Sequence, residues 1–275
     1  MSGAVVHNPC VNNSLYETTV YGKDLYLGLM HLKSLESELA KRIVSEREQN
    51  GIYHSLEDFI RRIPIGIEGL QTLIFIGAFR FTGKTKNELI LMGRLILVNF
   101  KPEDRSSLLF QEPPKAYRFP VLERDAFEDA FDEIEILSFP VSCSPFHLMQ
   151  TDYRGDVMAA DLVHYHKKEV KMLAYLVSTK QVPTKAGTMY FGTWIDAAGD
   201  YFDTAHFANS LVHYPFKGGG CYLLLGRVEV DFHFPTITIS KMAKMPFRPD
   251  PRYANSSSRQ FKVHQQMKED VSSTH

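Results

Sequence analysis

Thr184-Lys185-Ala186-Gly187-Thr188-Met189-Tyr190-Phe191, continued by Gly192-Thr193-Trp194-Ile195-Asp196, places a basic, glycine-containing turn directly before an aromatic strand. Such a strand can offer flat rings to unpaired bases while lysines face phosphates. Around it the hydrophobic period is two, and strands are predicted over 170–179, 187–196, 200–206, 220–230 and 234–243. Asp196-Ala197-Ala198-Gly199-Asp200 reads as a hairpin turn, and a short helix is expected at 207–213. Five strands with a helix between the third and fourth is the order of an OB-fold barrel.

Upstream the period lengthens. Ser34 is positioned to cap a helix carrying Leu35, Leu39 and Ile43 on one face, with Asn50-Gly51 stopping it. Ser55-Leu56-Glu57-Asp58 opens a second helix with Leu56, Phe59, Ile60 and Ile63 turned inward, and Pro64 ends it. A third spans 67–76 on Leu70, Leu73 and Ile74. Thr85-Lys86-Asn87-Glu88 is another capping box and opens a fourth at roughly 86–98. The expected class is α+β: a helical helix-hairpin-helix module over 20–100, then a five-stranded OB-fold barrel over 136–253. Residues 1–19 read as a loose lead-in. Pro102, Pro113, Pro114 and Pro120 mark a connector over 101–135 that ends in a short acidic helix near 124–136. Residues 254–275 read as a disordered tail.

Length and charge bound the function. A chain of 275 residues allows about two domains. Net charge is −1, but it is unevenly placed. Residues 20–100 carry 11 basic and 9 acidic side chains, 101–135 carry 5 and 10, and 136–253 carry 12 and 10. Two mildly basic modules thus flank an acidic connector, and neither is basic enough for strong unaided binding to phosphates. Cys10, Cys143 and Cys221 are too scattered for a disulfide framework, so a cytoplasmic setting is expected. No apolar run approaches the ~18 residues of a membrane helix.

The candidate DNA contacts are Lys185 and Gly187 in the barrel turn, Tyr190 and Trp194 on the second strand, and Lys171 on the first. Lys167 and Lys168 precede that strand. Tyr190 and Trp194 share one face, whereas Met189 and Phe191 share the other. One of these faces must fill the barrel, and alternation alone does not say which. In the helical module the hairpin Leu32-Lys33-Ser34-Leu35-Glu36 offers Lys33, and Ile63-Pro64-Ile65-Gly66-Ile67-Glu68 offers Gly66. Ser106-Ser107-Leu108-Leu109-Phe110 suits docking into an apolar groove of a partner. No catalytic residue stands out. Asp196, Asp200 and Asp203 read as turn formers rather than a metal pair. His164-Tyr165-His166 lacks the cysteines of a zinc site, and Phe216-Lys217-Gly218-Gly219-Gly220 lacks the lysine of a phosphate loop.

Three further stretches complete the pattern. Tyr53-His54-Ser55-Leu56-Glu57-Asp58-Phe59-Ile60-Arg61-Arg62 is followed by Leu73-Ile74-Phe75-Ile76-Gly77-Ala78-Phe79. Ile136-Leu137-Ser138-Phe139-Pro140-Val141-Ser142, with Ser144-Pro145-Phe146, then precedes the barrel hairpin at 184–191. Together they resemble the C-terminal part of the bacterial replicative DNA polymerase, the alpha subunit of DNA polymerase III, across about 20–250. The resemblance implies an intact enzyme that elongates DNA from deoxynucleoside triphosphates with Mg²⁺. Its catalytic aspartates would lie in a palm domain preceding residue 1, so this stretch alone would not polymerise and would hold no cofactor. It also implies a sliding-clamp peptide, Gln, two variable residues, then Leu-Phe, between the helical region and the barrel. Leu109 and Phe110 match that peptide, and Ser106 stands where the glutamine would be. The implied partners are DNA, the sliding clamp and other replicase subunits.

Overall fold

A computed structural model describes residues 3–99, 125–185 and 187–254. The chain divides into two compact units. Among the described residues, one takes in 3–99, 125–142 and 250–254, and the other 143–185 and 187–249.

The first unit is mainly helical: α1 (Ser37–Asn50), α2 (Leu56–Arg62), α3 (Ile67–Phe75), α4 (Lys86–Asn99) and α5 (Glu128–Leu137). Local signals set most of these bounds. The Ser55 hydroxyl accepts the Asp58 N–H at 3.1 Å and starts α2. At α4 the box closes both ways: Glu88 N–H donates to Thr85 Oγ1 at 3.2 Å, and Thr85 N–H to Glu88 Oε2 at 2.7 Å. Leu56, Phe59, Ile60, Ile63, Leu70, Leu73 and Ile74 are all buried in one core. Burying each such side chain contributes about 1.5–3 kcal/mol. Arg62 clamps the turn after α1, donating to the carbonyls of Glu46, Gly51 and Ile52 while lying 4.3 Å from the Tyr53 ring centre.

Two expectations are corrected here. The first helix starts at Ser37 rather than after Ser34, with Glu36 in an extended conformation as its N-cap. Leu32 and Leu35 are both buried, and a turn between them, Leu35 N–H to Leu32 carbonyl at 3.1 Å, takes the place of the extra helical turn. Nor are residues 3–19 loose. β1 (Val5–His7), β2 (Thr19–Tyr21) and β3 (Asp24–Tyr26) form a small sheet in the order β1-β3-β2. Cys10, Val11 and Ser14 are buried, and the Ser14 hydroxyl donates to the Leu27 carbonyl at 2.8 Å.

The second unit is a closed barrel of β4 (Glu169–Thr184), β5 (Gly187–Ile195), β6 (Tyr201–His206), β7 (Cys221–Asp231) and β8 (Phe234–Lys244), in the order β4-β5-β6-β8-β7. Only the β6–β8 pairing is parallel, and α6 (Ala208–His213) fills the connection from β6 to β7. This is OB-fold topology. Asp196 fixes the β5–β6 turn by accepting the N–H groups of Ala198 and Asp200, each at 2.9 Å. Gly226 is required where β7 and β8 close together, because a Cβ there would stand 2.4 Å from the Thr238 carbonyl oxygen. A last short helix, α7 (Pro251–Ala254), belongs to the first unit, where Arg252 pairs with Asp132 at 2.9 Å and Glu135 at 2.8 Å.

Candidate nucleic-acid interface

The barrel resolves the face of β5. Trp194 points inward and is 0% exposed. Its Nε1–H donates to Thr204 Oγ1 at 2.7 Å, and Thr204 Oγ1 lies 2.7 Å from His206 Nε2. Gly192 makes this contact possible, since a Cβ there would meet Trp194 Nε1 at 2.6 Å and Thr204 Oγ1 at 2.9 Å. Burial holds the His206 pKa down at about 4, so the ring is neutral near pH 7. The expectation that Trp194 stacks on a base is therefore corrected: the buried indole N–H needs an internal partner and finds one across the strand pair. Tyr190 shares that inward face. It is half-buried, 5.7 Å from the Phe216 ring centre.

The outward residue is Phe191, 40% exposed. It stands directly opposite Lys180 on β4 and Ala205 on β6. Ala205 in turn is level with Thr238 on β8, and Thr238 with Arg227 on β7. One row across five strands thus reads Lys180, Phe191, Ala205, Thr238, Arg227. Because β7 also pairs with β4, where Arg227 stands opposite Glu169, the row winds round the closed barrel over four strand spacings and does not cross a single face. The exposed Phe191 ring adjoins the exposed Lys180, Ala205 on its other side is buried, and Arg227 lies three strands from Phe191 and pairs with Glu229 at 3.5 Å.

Beyond the closed part of the barrel, β4 and β5 continue as a two-stranded arm, with Thr184 opposite Gly187. Lys185 is exposed at its tip. Gly187 has φ 113°, a backbone conformation that favours glycine, and its Cα side approaches Ala208 of α6. Lys171 is not brought to this region. It sits where β4 pairs with β7, half-buried, with its ammonium 5.1 Å from the Tyr153 ring centre. In the helical unit Lys33 is exposed ahead of α1. Gly66 is the N-cap of α3, with no atom within 4 Å of where a Cβ would stand. Ser106, Leu109 and Phe110 lie outside the described residues.

Other sequence candidates have structural roles. Asp196 is buried, and its remaining oxygen accepts the Ala159 N–H at 2.8 Å; Asp203 accepts the Thr193 hydroxyl at 2.8 Å. Among the described residues no cluster of His, Cys, Asp and Glu could hold a metal ion. The Phe216–Gly220 loop folds onto Tyr222, whose hydroxyl accepts the Lys217 N–H at 2.8 Å and donates to the Gly218 carbonyl at 2.6 Å. No described helix is long and apolar enough to cross a membrane. Sequence reading missed Phe232 and Phe234, which the β7–β8 turn exposes at 94% and 76%. The available signal was two aromatics flanking a histidine in a two-residue turn.

Comparison with known proteins follows the same outline. The helix-hairpin-helix motif family matches residues 3–89. The DNA polymerase III subunit alpha of Staphylococcus epidermidis strain RP62A is 26% identical over 90% of this chain, which covers 24% of that protein. That of strain ATCC 12228 is 30% identical over 68% of this chain, covering 18% of it. The error-prone DNA polymerase of Mycobacterium bovis is 36% identical over 31% of this chain and 8% of its own length. The chain thus spans about a quarter or less of these relatives. Among solved structures, the second OB-fold domain of replication protein A from Methanococcus maripaludis overlaps 29% of this chain and 85% of its own, at 16% identity and a TM-score of 0.23. So loose an overlap carries no argument, and the barrel assignment rests on its strand order. Over its helix-hairpin-helix region and the barrel that follows, this chain is a homologue of the alpha subunit of bacterial DNA polymerase III.

Proposed function

We propose that the chain is the DNA-binding C-terminal portion of a replicative DNA polymerase, and that its barrel holds single-stranded template on its outer face. The exposed Phe191 ring standing opposite the exposed Lys180 carries this reading. A base stacks on Phe191, and Lys180 opposite it takes the adjoining phosphate. Lys185 on the arm extends the basic track. Polymerisation, with its Mg²⁺, belongs to the intact enzyme. Leu109 and Phe110 serve as its tether to the sliding clamp, and other replicase subunits assemble around it.

The test is fluorescence anisotropy with a labelled oligothymidylate at low salt. Phe191→Ala should lose about 1–3 kcal/mol of binding, five-fold to over a hundred-fold in affinity. Lys180→Ala should flatten the salt dependence by about 0.7 in log–log slope. An unchanged affinity in Phe191→Ala would refute the stacking site.

One observation favours a second reading, in which the helical unit contacts protein rather than duplex DNA. Glu36 is the N-cap of α1, where a bound phosphate would sit, and its carboxylate would repel that phosphate. Glu36→Gly should raise duplex affinity measurably if DNA does approach there. No change in duplex binding supports the protein-contact reading.

A further inference from the structure

The helical unit holds a cavity of about 240 Å³ that none of the roles above uses. Its floor is apolar: Ile74 and Ile76 from the end of α3 and Leu89 of α4 are 1%, 1% and 2% exposed. Arg80 and Lys84 also line it and are exposed, so they form its rim. Arg80 donates only to carbonyls, those of Asn8, Pro9 and Gly77, so no acid neutralises it there. Glu88, held by the Thr85 capping box, offsets part of the Lys84 charge. Two cations against one acid leave the rim net positive.

The acids that line the cavity are already engaged. Glu133 is buried and accepts Asn8 Nδ2–H at 2.5 Å, the N–H groups of Val141 and Ser142 at 2.6 and 2.8 Å, and the Ser142 hydroxyl at 3.0 Å. Asp129 pairs with Lys86 at 2.6 Å. The bond to Glu133 also fixes which way the Asn8 amide faces. Asn8 borders the cavity, and its Oδ1 is buried and meets no donor among the described residues. A buried acceptor in that state is destabilising, and an N–H from a ligand relieves it.

These surroundings call for an apolar group on the floor, a neutral N–H at Asn8 and a single negative charge at the rim. The cavity is smaller than the roughly 300–1,000 Å³ of a cofactor site. A phosphate dianion exceeds the charge that the rim can match. A free amino acid would bring an ammonium, and the carboxylates that could receive it are taken. The last residue of a polypeptide has all three groups, because its nitrogen is an amide and its carboxylate is free. We propose that the cavity receives the aliphatic C-terminal residue of a partner protein. Its side chain covers Ile74, Ile76 and Leu89, its N–H donates to Asn8 Oδ1, and its carboxylate lies between Arg80 and Lys84. The cavity lies wholly in the helical unit, so it owes nothing to the DNA contacts of the barrel.

The experiment uses the full chain and a fluorescein-labelled peptide of glycine and serine that ends in leucine with a free carboxylate, followed by anisotropy at low salt. The peptide should bind, and its C-terminal amide should bind about tenfold or more weakly. An N-methylated terminal leucine, which lacks the N–H, should cost about threefold or more. Lys84→Glu should weaken the free-acid peptide by about threefold or more and leave the amide unaffected. Far-ultraviolet circular dichroism equal to that of wild type checks that this exposed change leaves the helices folded. N-acetyl-leucine should compete with the peptide, whereas leucine at the same concentration should not. Equal affinity for the free acid and either modified peptide, full binding by Lys84→Glu, equal competition by leucine, or no binding at all overturns the assignment.

Discussion

Acidification should loosen the barrel through one buried histidine. His206 is buried beside Trp194, with ring centres 6.3 Å apart, and 4.6 Å from the Phe216 ring centre. Burial lowers its pKa from 6.5 to about 4. As pH falls, the unfolded chain takes up the proton first. The stability supplied by the neutral ring is therefore complete above about pH 7, and it is lost progressively between pH 6.5 and pH 4. The full shift corresponds to about 3 kcal/mol, of which about 2 kcal/mol is gone by pH 5. With a urea slope of about 1–2 kcal/mol per molar, the midpoint should drop by about 1–2 M between pH 7.5 and pH 5.

Trp194 is the chain's only tryptophan, so its emission follows the barrel's unfolding specifically. His206→Gln is the informative variant, since its amide can hydrogen-bond to Thr204 Oγ1 in either direction but cannot titrate. It should retain most of its stability at pH 7.5 and lose about 2 kcal/mol less than wild type on going to pH 5. Parallel losses in the two proteins would show that His206 is not the group being protonated, and that surface carboxylates set the pH dependence instead.

Two other perturbations separate packing from tethering. Gly192→Ala should destabilise the barrel by about 1–3 kcal/mol, seen as a lower urea midpoint, because the new methyl meets Trp194 Nε1 at 2.6 Å. A midpoint equal to wild type would mean that the Trp194–Thr204 pair yields without cost. Leu109→Ala with Phe110→Ala should abolish co-elution with a sliding clamp on size exclusion while leaving oligonucleotide affinity unchanged. Continued co-elution would place the tether elsewhere.

What could be read from the sequence was what is local. The Ser55 and Thr85 caps close within three residues, so composition alone locates the starts of α2 and α4. The five strands and the helix after the third announce themselves through alternation and turn residues. The amino-terminal sheet does not. Its strands are three residues long, and Val5 finds its partner at Asp24, so neither period nor turn reports the pairing. Ser34 misled for a related reason: Leu35, Leu39 and Ile43 have helical spacing, but Leu35 reaches the core from a turn ahead of an extended Glu36.

The face of β5 shows where alternation stops and chemistry must take over. Period two says that Tyr190 and Trp194 point one way and Phe191 the other, and a one-residue error exchanges the two faces completely. The deciding facts are non-local. Thr204 must stand opposite Gly192 so that a small residue leaves space for an indole N–H to reach a hydroxyl. Once Trp194 is committed to the interior, Tyr190 follows it inward against Phe216, and the outer face of β5 is left with Phe191 as its exposed ring. The proposed base contact then moves by one residue, to Phe191. Its cross-strand neighbours are Lys180 on β4 and Ala205 on β6, brought level with it by strand pairing.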